Sequence, residues 1–407
     1  MKVTVISNYY PPDFVGGAEI YAYRLTKEMS KLGVHCDVIT STKGRREVNE
    51  EEGMRVYRVT KPLPLDRITL NLFGYNFNPS ALRIKKILEK TTPDIIHIHH
   101  ISGTIMLYPL IRYLKNPVIV HLHDHWPICY RGVLYNMREK KTCDGDCYRC
   151  CFRPGLRSIG KINLDIRKKL IPSFENKVSC FISPSSYLRS KLIGEKFTDP
   201  QKIFHVPLGI DVTQFNPSKA QGNYGESRKI LLIGRLVYYK NPALIVKLMP
   251  KLLKKVKCSY QVVGSGSEIN NIMYQAKKLG VERNVELLGK VTPQSIINII
   301  SNADVLVLPS LCYENSPATI YESLACGTPA IVSNRGGPKE LIDEGINGFS
   351  IDPLDEDRWF EALIKILTDE NLRRKMSVEA RKKAEREYDI KVNAKNILDI
   401  YKRLINS

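Results

Sequence analysis

Short apolar, β-branched runs alternate with longer amphipathic stretches along the whole chain. KVTVIS (2–7) precedes a stretch at 17–32 in which Ile20, Tyr23, Leu25, Met29 and Leu32 recur at roughly helical spacing. Further strand-like runs stand at 35–40, 54–59, 94–100, 117–123 and 179–185, with a helix expected near 79–90. A second series opens after QGNYGESRK (221–229), the Gly- and charge-rich stretch that best fits a linker. Its expected strands lie at 229–236, 259–266, 284–289, 303–310 and 328–334, with helices near 242–255, 268–279, 293–301 and from 317 onward. Such alternation predicts parallel sheets covered by helices on both faces. The fold class is therefore α/β, two doubly wound Rossmann-like domains, with the amphipathic segment 390–405 able to pack on either.

Ligands of open α/β sheets bind beyond the carboxyl ends of the strands, so residues just after the apolar runs carry the functional question. After ADVLVLP comes CYENSPATIYESLACG (312–327), with Glu314 and Glu322 eight positions apart. Pro317 suits a first helical turn and Ser316 an N-cap, so a helix is expected to start near Ser316. Glu322 then lies roughly 9 Å further along the axis, and the two carboxylates bracket the helix start rather than face each other. A helix start attracts anions, and carboxylates accept from hydroxyls. The pattern suits a ligand with phosphates in the middle and a polyol at each end; the plainer reading is an acidic loop residue and an exposed helix glutamate. Arg235 and Lys240, in GRLVYYKNP, follow the first strand of the second series and offer two cations to a diphosphate. Gly264, in VVGSGSE, allows close backbone approach, and this turn lacks the three spaced glycines of a dinucleotide fingerprint. Gly16 and Gly17 open the first helix, as a phosphate-closing loop or a plain turn.

Charge sharpens this reading. Lys and Arg number 62 against 42 Asp and Glu, a net +20, which suits an anionic partner. No apolar run approaches the roughly 18 residues of a membrane span, and the N-terminal apolar stretch is too short for a signal-peptide core. A cytoplasmic protein with reduced thiols is expected. Six of the eight histidines fall between 97 and 125. His97/His99 and His121/His123 each share a strand face, which would suit zinc, or more plainly line a cleft. Cys129, Cys143, Cys147 and Cys150, spaced C-x13-C-x3-C-x2-C, are the alternative metal set, for structural zinc or an iron–sulfur cluster. The basic stretch that follows, with Arg149, Arg153, Arg157, Lys161, Arg167, Lys168 and Lys169, interleaves Leu156, Ile159, Ile162 and Ile166. It reads as an amphipathic helix for an anionic membrane surface or as a solvated helix.

Together GGAE (16–19), HLHD (121–124), VPLGIDVTQFNP (206–217), GRLVYYKNP (234–242), VVGSGSE (262–268), ENSPATIYESLACGTPAIVSN (314–334) and GGPKELI (336–342) resemble the retaining glycosyltransferases of the GT-B fold, family 4. The glutamates match that family's E-x7-E motif, with Asn315-Ser316 where many members have Phe-Gly. The resemblance implies two Rossmann-like domains facing a cleft. It sets them at 1–208, acceptor-side with a cysteine-rich basic insert at about 126–172, and 209–385, which takes the donor. The last helix, 386–407, is implied to cross back onto the first domain. It implies that Glu314 contacts donor hexose hydroxyls and Glu322 the ribose. Arg235 and Lys240 would hold the diphosphate, helped by Ser316, Pro317, Ala318 and Thr319 at the helix start and by Gly16 and Gly17. His123 would lie near the reacting hexose, and transfer would retain configuration without a required cofactor. The partners implied are a nucleotide-sugar donor and a glycan or lipid-linked acceptor. Asp124 is read as a local orienting or acceptor-side residue. An epimerase or hydrolase of nucleotide sugars is the alternative within this architecture. A basic nucleic-acid-binding protein is the remote one, and no nucleic-acid motif supports it.

Overall fold

The computed structural model describes residues 1–13, 16–42, 47–60, 79–99, 114–143, 145, 147–152, 157–216 and 227–406. Most of the expected linker at 221–229, as well as His100, Arg153 and Leu156, lies outside these residues. The chain divides into two compact units.

The first unit comprises Met1–Val133, Asp144–Gly209 and Ile390–Ser407. Its elements run β1 (Lys2–Ser7), α1 (Gly17–Lys31), β2 (His35–Thr42), β3 (Glu47–Glu51), β4 (Met54–Thr60), α2 (Pro79–Thr91), β5 (Ile95–His99) and β6 (Val118–His121). A hairpin of β7 (Tyr135–Asn136) and β8 (Lys141–Thr142) interrupts it and belongs to the second unit. Then come α3 (Cys147–Cys151), α4 (Arg157–Glu175), β9 (Cys180–Ser183), α5 (Ser186–Gly194) and β10 (Ile203–His205). The sheet order is β10-β9-β6-β5-β1-β2-β4-β3, parallel except for β3. β5 and β6 are buried at every position, the mark of strands covered on both faces. α1 starts with the Glu19 carboxylate accepting from the Gly16 N–H at 2.9 Å. The edge strand β3 was invisible as an apolar run because it reads EVNEE; Arg58 holds it by ion pairs to Glu47 and Glu51.

The second unit, Leu134–Cys143 and Ile210–Asp389, continues with β11 (Arg228–Ile233), α6 (Ala243–Leu253), β12 (Cys258–Val263), α7 (Ile269–Lys278), β13 (Val285–Gly289) and α8 (Pro293–Ser301). β14 (Val305–Leu308), α9 (Ala318–Ala325), β15 (Ala330–Ser333), β16 (Gly348–Ile351), α10 (Glu356–Thr368) and α11 (Glu370–Glu387) complete it. The parallel order β13-β12-β11-β14-β15-β16 puts the carboxyl ends of β11 and β14 side by side, where Arg235, Lys240 and Glu314 emerge. Trp359 is fully buried in the core and donates its indole N–H to the Asp352 carbonyl at 3.0 Å.

The last helix, α12 (Ile390–Asn406), returns to the first unit and packs against α1. Asn393 accepts from the Tyr21 hydroxyl at 2.9 Å, and Tyr401 meets His97 Nδ1 at 2.6 Å. Among the described residues no helix is long and apolar enough to cross a membrane.

Candidate functional site

In the second unit, Lys240 ends a one-turn 3-10 helix, Tyr238–Lys240, that follows β11. Its ammonium donates to the Glu314 carboxylate, which also accepts from the hydroxyl of Ser310, two residues past β14. Both side chains are largely buried, at 16% and 11% exposure. Burial alone would push the Glu314 carboxyl up, but Lys240, Ser310 and Arg235 together hold it below its ordinary value. Burial opposes the charge on Lys240 as well, and Glu314 more than offsets it, so the ammonium titrates above its usual value. Arg235 is exposed, and among the described residues nothing hydrogen-bonds its guanidinium. This leaves one paired and one solvent-facing cation beyond the end of β11, beside the end of β14. Ser310 could be found from sequence only as the last residue of the strand-like run. Lys240 and Glu314 were legible individually, and their pairing was not.

Glu314 is locked through its backbone as well. Its carbonyl accepts from Gly337 N at 3.0 Å, and a Cβ on Gly336 would sit 2.2 Å from that carbonyl oxygen. Arg335 braces the same loop, donating to the Leu311 carbonyl at 2.8 Å and to Asp352 at 3.4 Å. Asn315 is buried, while Ser316, Pro317, Ala318 and Thr319 are half-buried.

The start of α9 differs from expectation. Pro317, extended at ψ 117°, takes the N-cap position, and no side chain caps the helix. Ser316 does not cap it, because its hydroxyl hydrogen-bonds the Tyr321 hydroxyl at 2.6 Å. The first-turn N–H groups of α9 are therefore not satisfied by a side-chain cap, which keeps the anion-binding character of that end. Glu322 lies inside α9 and is buried.

Gly264 has a role the sequence did not show. A Cβ there would lie 1.9 Å from the Gly234 carbonyl oxygen, and one on Gly266 would lie 2.1 Å from that of Leu236. The turns after β11 and β12 interlock here, with Leu236 N–H donating to Ser265 and Glu268 N–H to Leu236, each at 2.9 Å. The close approach is thus to the chain's own backbone, and it fixes the turn that carries Arg235.

In the first unit, four imidazoles gather, from His97 and His99 on β5, His121 on β6 and His123 just beyond it. His123 stacks on His121 with centroids 4.7 Å apart, and its Nε2 lies 3.1 Å from His99 Nδ1. Tyr21, which sequence reasoning missed, stands edge-on to His121 and His123 at 5.0 and 5.8 Å. Burial pushes His97 down to about 3, with the His123 charge adding to it, and drives His99 and His121 well below their usual value. They are neutral at physiological pH. Asp124 accepts from Trp126 N at 2.8 Å and closes the loop that reaches Gly132. Gly16 and Gly17 are exposed at the start of α1; Gly16 has an extended φ of −159°, and a Cβ on it would meet only Glu19 Oε2, at 3.7 Å.

The metal readings meet the following geometry. Cys129, Cys143, Cys147 and Cys150 are all among the described residues, yet no three of them bring ligand atoms within 4.8 Å of one another. None of the ten cysteines is in a disulfide, and Cys151 pairs with Cys147 one helical turn away. Among the described residues only His97, His99 and His121 bring three ligand atoms within 4.8 Å. Their ring planes lie 16° apart for His99/His121, 24° for His97/His121 and 38° for His97/His99. Two of their nitrogens have other partners, His97 Nδ1 meeting the Tyr401 hydroxyl and His99 Nδ1 meeting His123 Nε2. On the basic helix one residue departs from the surface reading. Arg167 turns inward, donating to the Trp126 carbonyl with its guanidinium 5.9 Å from that indole ring. Exposed Lys161, Lys168 and Lys169 remain on α4, beside an Ile162 that is 53% exposed; Arg149, Arg157 and Ile159 have no described side chains.

Comparison with known proteins matches two families in tandem. "Glycosyltransferase Family 4" covers residues 15–214 and "Glycosyl transferases group 1" covers residues 214–383. An uncharacterized glycosyltransferase of Methanocaldococcus jannaschii is 25% identical over 99% of this chain and 98% of its own. The UDP-Gal:alpha-D-GlcNAc-diphosphoundecaprenol alpha-1,3-galactosyltransferase of Escherichia coli is 26% identical over 79% of this chain and 78% of its own. Among solved structures, the sucrose-phosphate synthase of Thermosynechococcus elongatus superimposes with a TM-score of 0.78 at 20% identity, over 100% of this chain and 99% of its own.

Proposed function

The chain belongs to the group 1, family 4 glycosyltransferases, enzymes that transfer a sugar from a nucleotide-sugar donor, and we propose that it moves a hexose from a nucleoside diphosphate sugar, with retention, to a hydroxyl of a glycan or lipid-linked acceptor. The observation that carries this reading is the Lys240–Glu314 pair beside Arg235, at adjacent strand ends and next to a helix start without a side-chain cap. The transfer breaks the bond between the sugar C1 and the β-phosphate oxygen and forms a bond from C1 to the acceptor oxygen on the same face. The acceptor's hydroxyl proton passes to the departing phosphate. The main demand is to stabilise charge on that phosphate while the sugar becomes oxocarbenium-like. Fixed donors meet it without reorganising, each worth about 3–4 kcal/mol when removed. Arg235 and Lys240 fill this role, with the N–H groups of Ala318 and Thr319.

Glu314, held ionised, accepts from hexose hydroxyls, and Glu322 accepts from the ribose. Lys240 is then shared between Glu314 and the diphosphate, which couples the hexose and phosphate contacts. His123 is assigned to the reacting hexose and Gly16 and Gly17 to the phosphates, as the resemblance implies. No cofactor is assigned to the transfer. The undecaprenol-linked acceptor in the E. coli relative's name supports a lipid-linked acceptor. Exposed Ile162 among Lys161, Lys168 and Lys169 supports peripheral docking on the anionic inner face of the cytoplasmic membrane. Sedimentation with vesicles tests this: binding that ignores anionic lipid content counts against docking. Incubation with UDP- and GDP-sugars tests the reaction class. Nucleotide release that needs an acceptor supports transfer, and release without one supports hydrolysis.

A further inference from the structure

We propose that the hairpin Leu134–Cys143 is a working part of the donor unit and that Tyr135 is a positioning residue for Lys240, an inference that rests on the donor reading above. The hairpin's flanks, up to Val133 and from Asp144, belong to the first unit, yet its ten residues pack with the second. It is too short to hold itself together, since β7 and β8 have two residues each and an isolated hairpin is marginal in water. Its turn is shaped locally: the Asn136 side chain accepts from the N–H groups of Arg138 and Glu139 at 3.1 and 3.2 Å, and Lys140 is left-handed at φ +51°. Its stability comes from what it covers.

What it covers is the turn that carries Lys240. Tyr135 is 1% exposed, and its ring lies 6.0 Å from that of Tyr239. Lys140 places its ammonium 4.6 Å from the ring centroid of Tyr238. These two contacts grip the two residues immediately before Lys240. Tyr239 in turn accepts from Leu311 N at 2.8 Å, so the same turn is tied to the loop that leads to Glu314. The phenol of Tyr135 is pushed up to about 12 by burial and the neighbouring Tyr238 and Cys312, with Arg335 opposing, which puts it among the groups of the donor loop. Lys240 is a long side chain in a short turn. Losing the aromatic floor under Tyr239 would let the ammonium sample positions away from Glu314 and from a bound diphosphate.

The test is calorimetric titration of the full chain with UDP, and with GDP and dTDP, following the nucleotide that binds tightest. Tyr135→Ala is expected to raise Kd at least fivefold, Tyr135→Phe to stay within twofold of the parent, and Lys140→Ala to raise it two- to threefold. In a Lys240→Ala background Tyr135→Ala is expected to add nothing, because its effect passes through that ammonium. Lys240→Ala that leaves Kd unchanged sinks the donor reading itself. Lys240→Ala that weakens binding while Tyr135→Ala does not, or that adds to it independently, overturns only the positioning role. Should Tyr135→Ala not fold, the exposed Lys140→Ala decides, and an unchanged Kd there overturns the proposal.

Discussion

Lys240 and Glu314 lie 74 positions apart in sequence and form an ion pair in the donor unit, which the Ser310 hydroxyl completes on the carboxylate side. The cation read as a phosphate ligand and the carboxylate read as a sugar ligand are thus one electrostatic unit before any donor arrives. That has consequences for stability, for pH dependence and for binding.

Removing one partner leaves the other charge largely buried. Glu314→Ala or Lys240→Ala alone should cost about 3–5 kcal/mol of unfolding free energy. The double variant Lys240→Ala/Glu314→Ala should cost clearly less than the sum. Denaturant unfolding of the four proteins in a cycle measures this, and strict additivity would show that the pair does not couple.

The pair also fixes a pH window. The Glu314 carboxyl is depressed below its ordinary 4.5, so its contribution is full above that value and is lost as pH falls through the depressed one. The Lys240 ammonium is raised above its ordinary 10.5, so its contribution is full below that value and is lost as pH rises through the raised one. The stability gap between parent and double variant should therefore be flat from about pH 5 to pH 10 and shrink on both sides.

The buried histidines give a separate acid signature. His97, His99 and His121 stay neutral in the folded chain well below 6.5, whereas the unfolded chain protonates them there. Folding then opposes protonation, and stability should fall as pH drops from 6.5 toward about 3 for His97, at about 1.4 kcal/mol per pH unit for each histidine. His97→Asn should reduce that slope by roughly one proton's worth. An unchanged slope would mean the imidazole is not held neutral.

The glycines separate packing from binding. Gly264→Ala would place its Cβ 1.9 Å from a carbonyl oxygen at a φ of +136°, and should cost at least about 2 kcal/mol in unfolding experiments. Gly16→Ala has room and an extended backbone, and should change stability by less than about 0.5 kcal/mol. A loss of nucleotide affinity in Gly16→Ala without loss of stability would mark that position as a ligand contact.

Much of the fold was legible because its strands are buried on both faces and read as mostly apolar runs, as VLVL does. β3 escaped because an exposed edge strand needs no apolar residues, and the hairpin because its two-residue strands owe their place to Tyr239 and Tyr238 rather than to any local pattern. Arg235, Lys240 and Glu314 could be found because each closely follows a strand. That Lys240 meets Glu314 could not, because it depends on β11 and β14 being neighbours, which spacing along the chain does not state. The cysteine set looked plausible as a ligand count, but spacing along the chain does not state distance, and no three of those thiols come within 4.8 Å of one another. Arg167 looked like surface charge because the sequence does not show which helical face meets Trp126.

The reading of the second unit turns on its binding a nucleoside diphosphate through Lys240 and Glu322. The decisive measurement is calorimetric titration of the parent chain, Lys240→Ala and Glu322→Ala with UDP, GDP and dTDP. One of these nucleotides is expected to bind the parent with one-to-one stoichiometry, and each substitution to weaken it at least tenfold, about 1.4 kcal/mol. A parent that binds none of them, or affinity unchanged in both variants, would overturn the donor site.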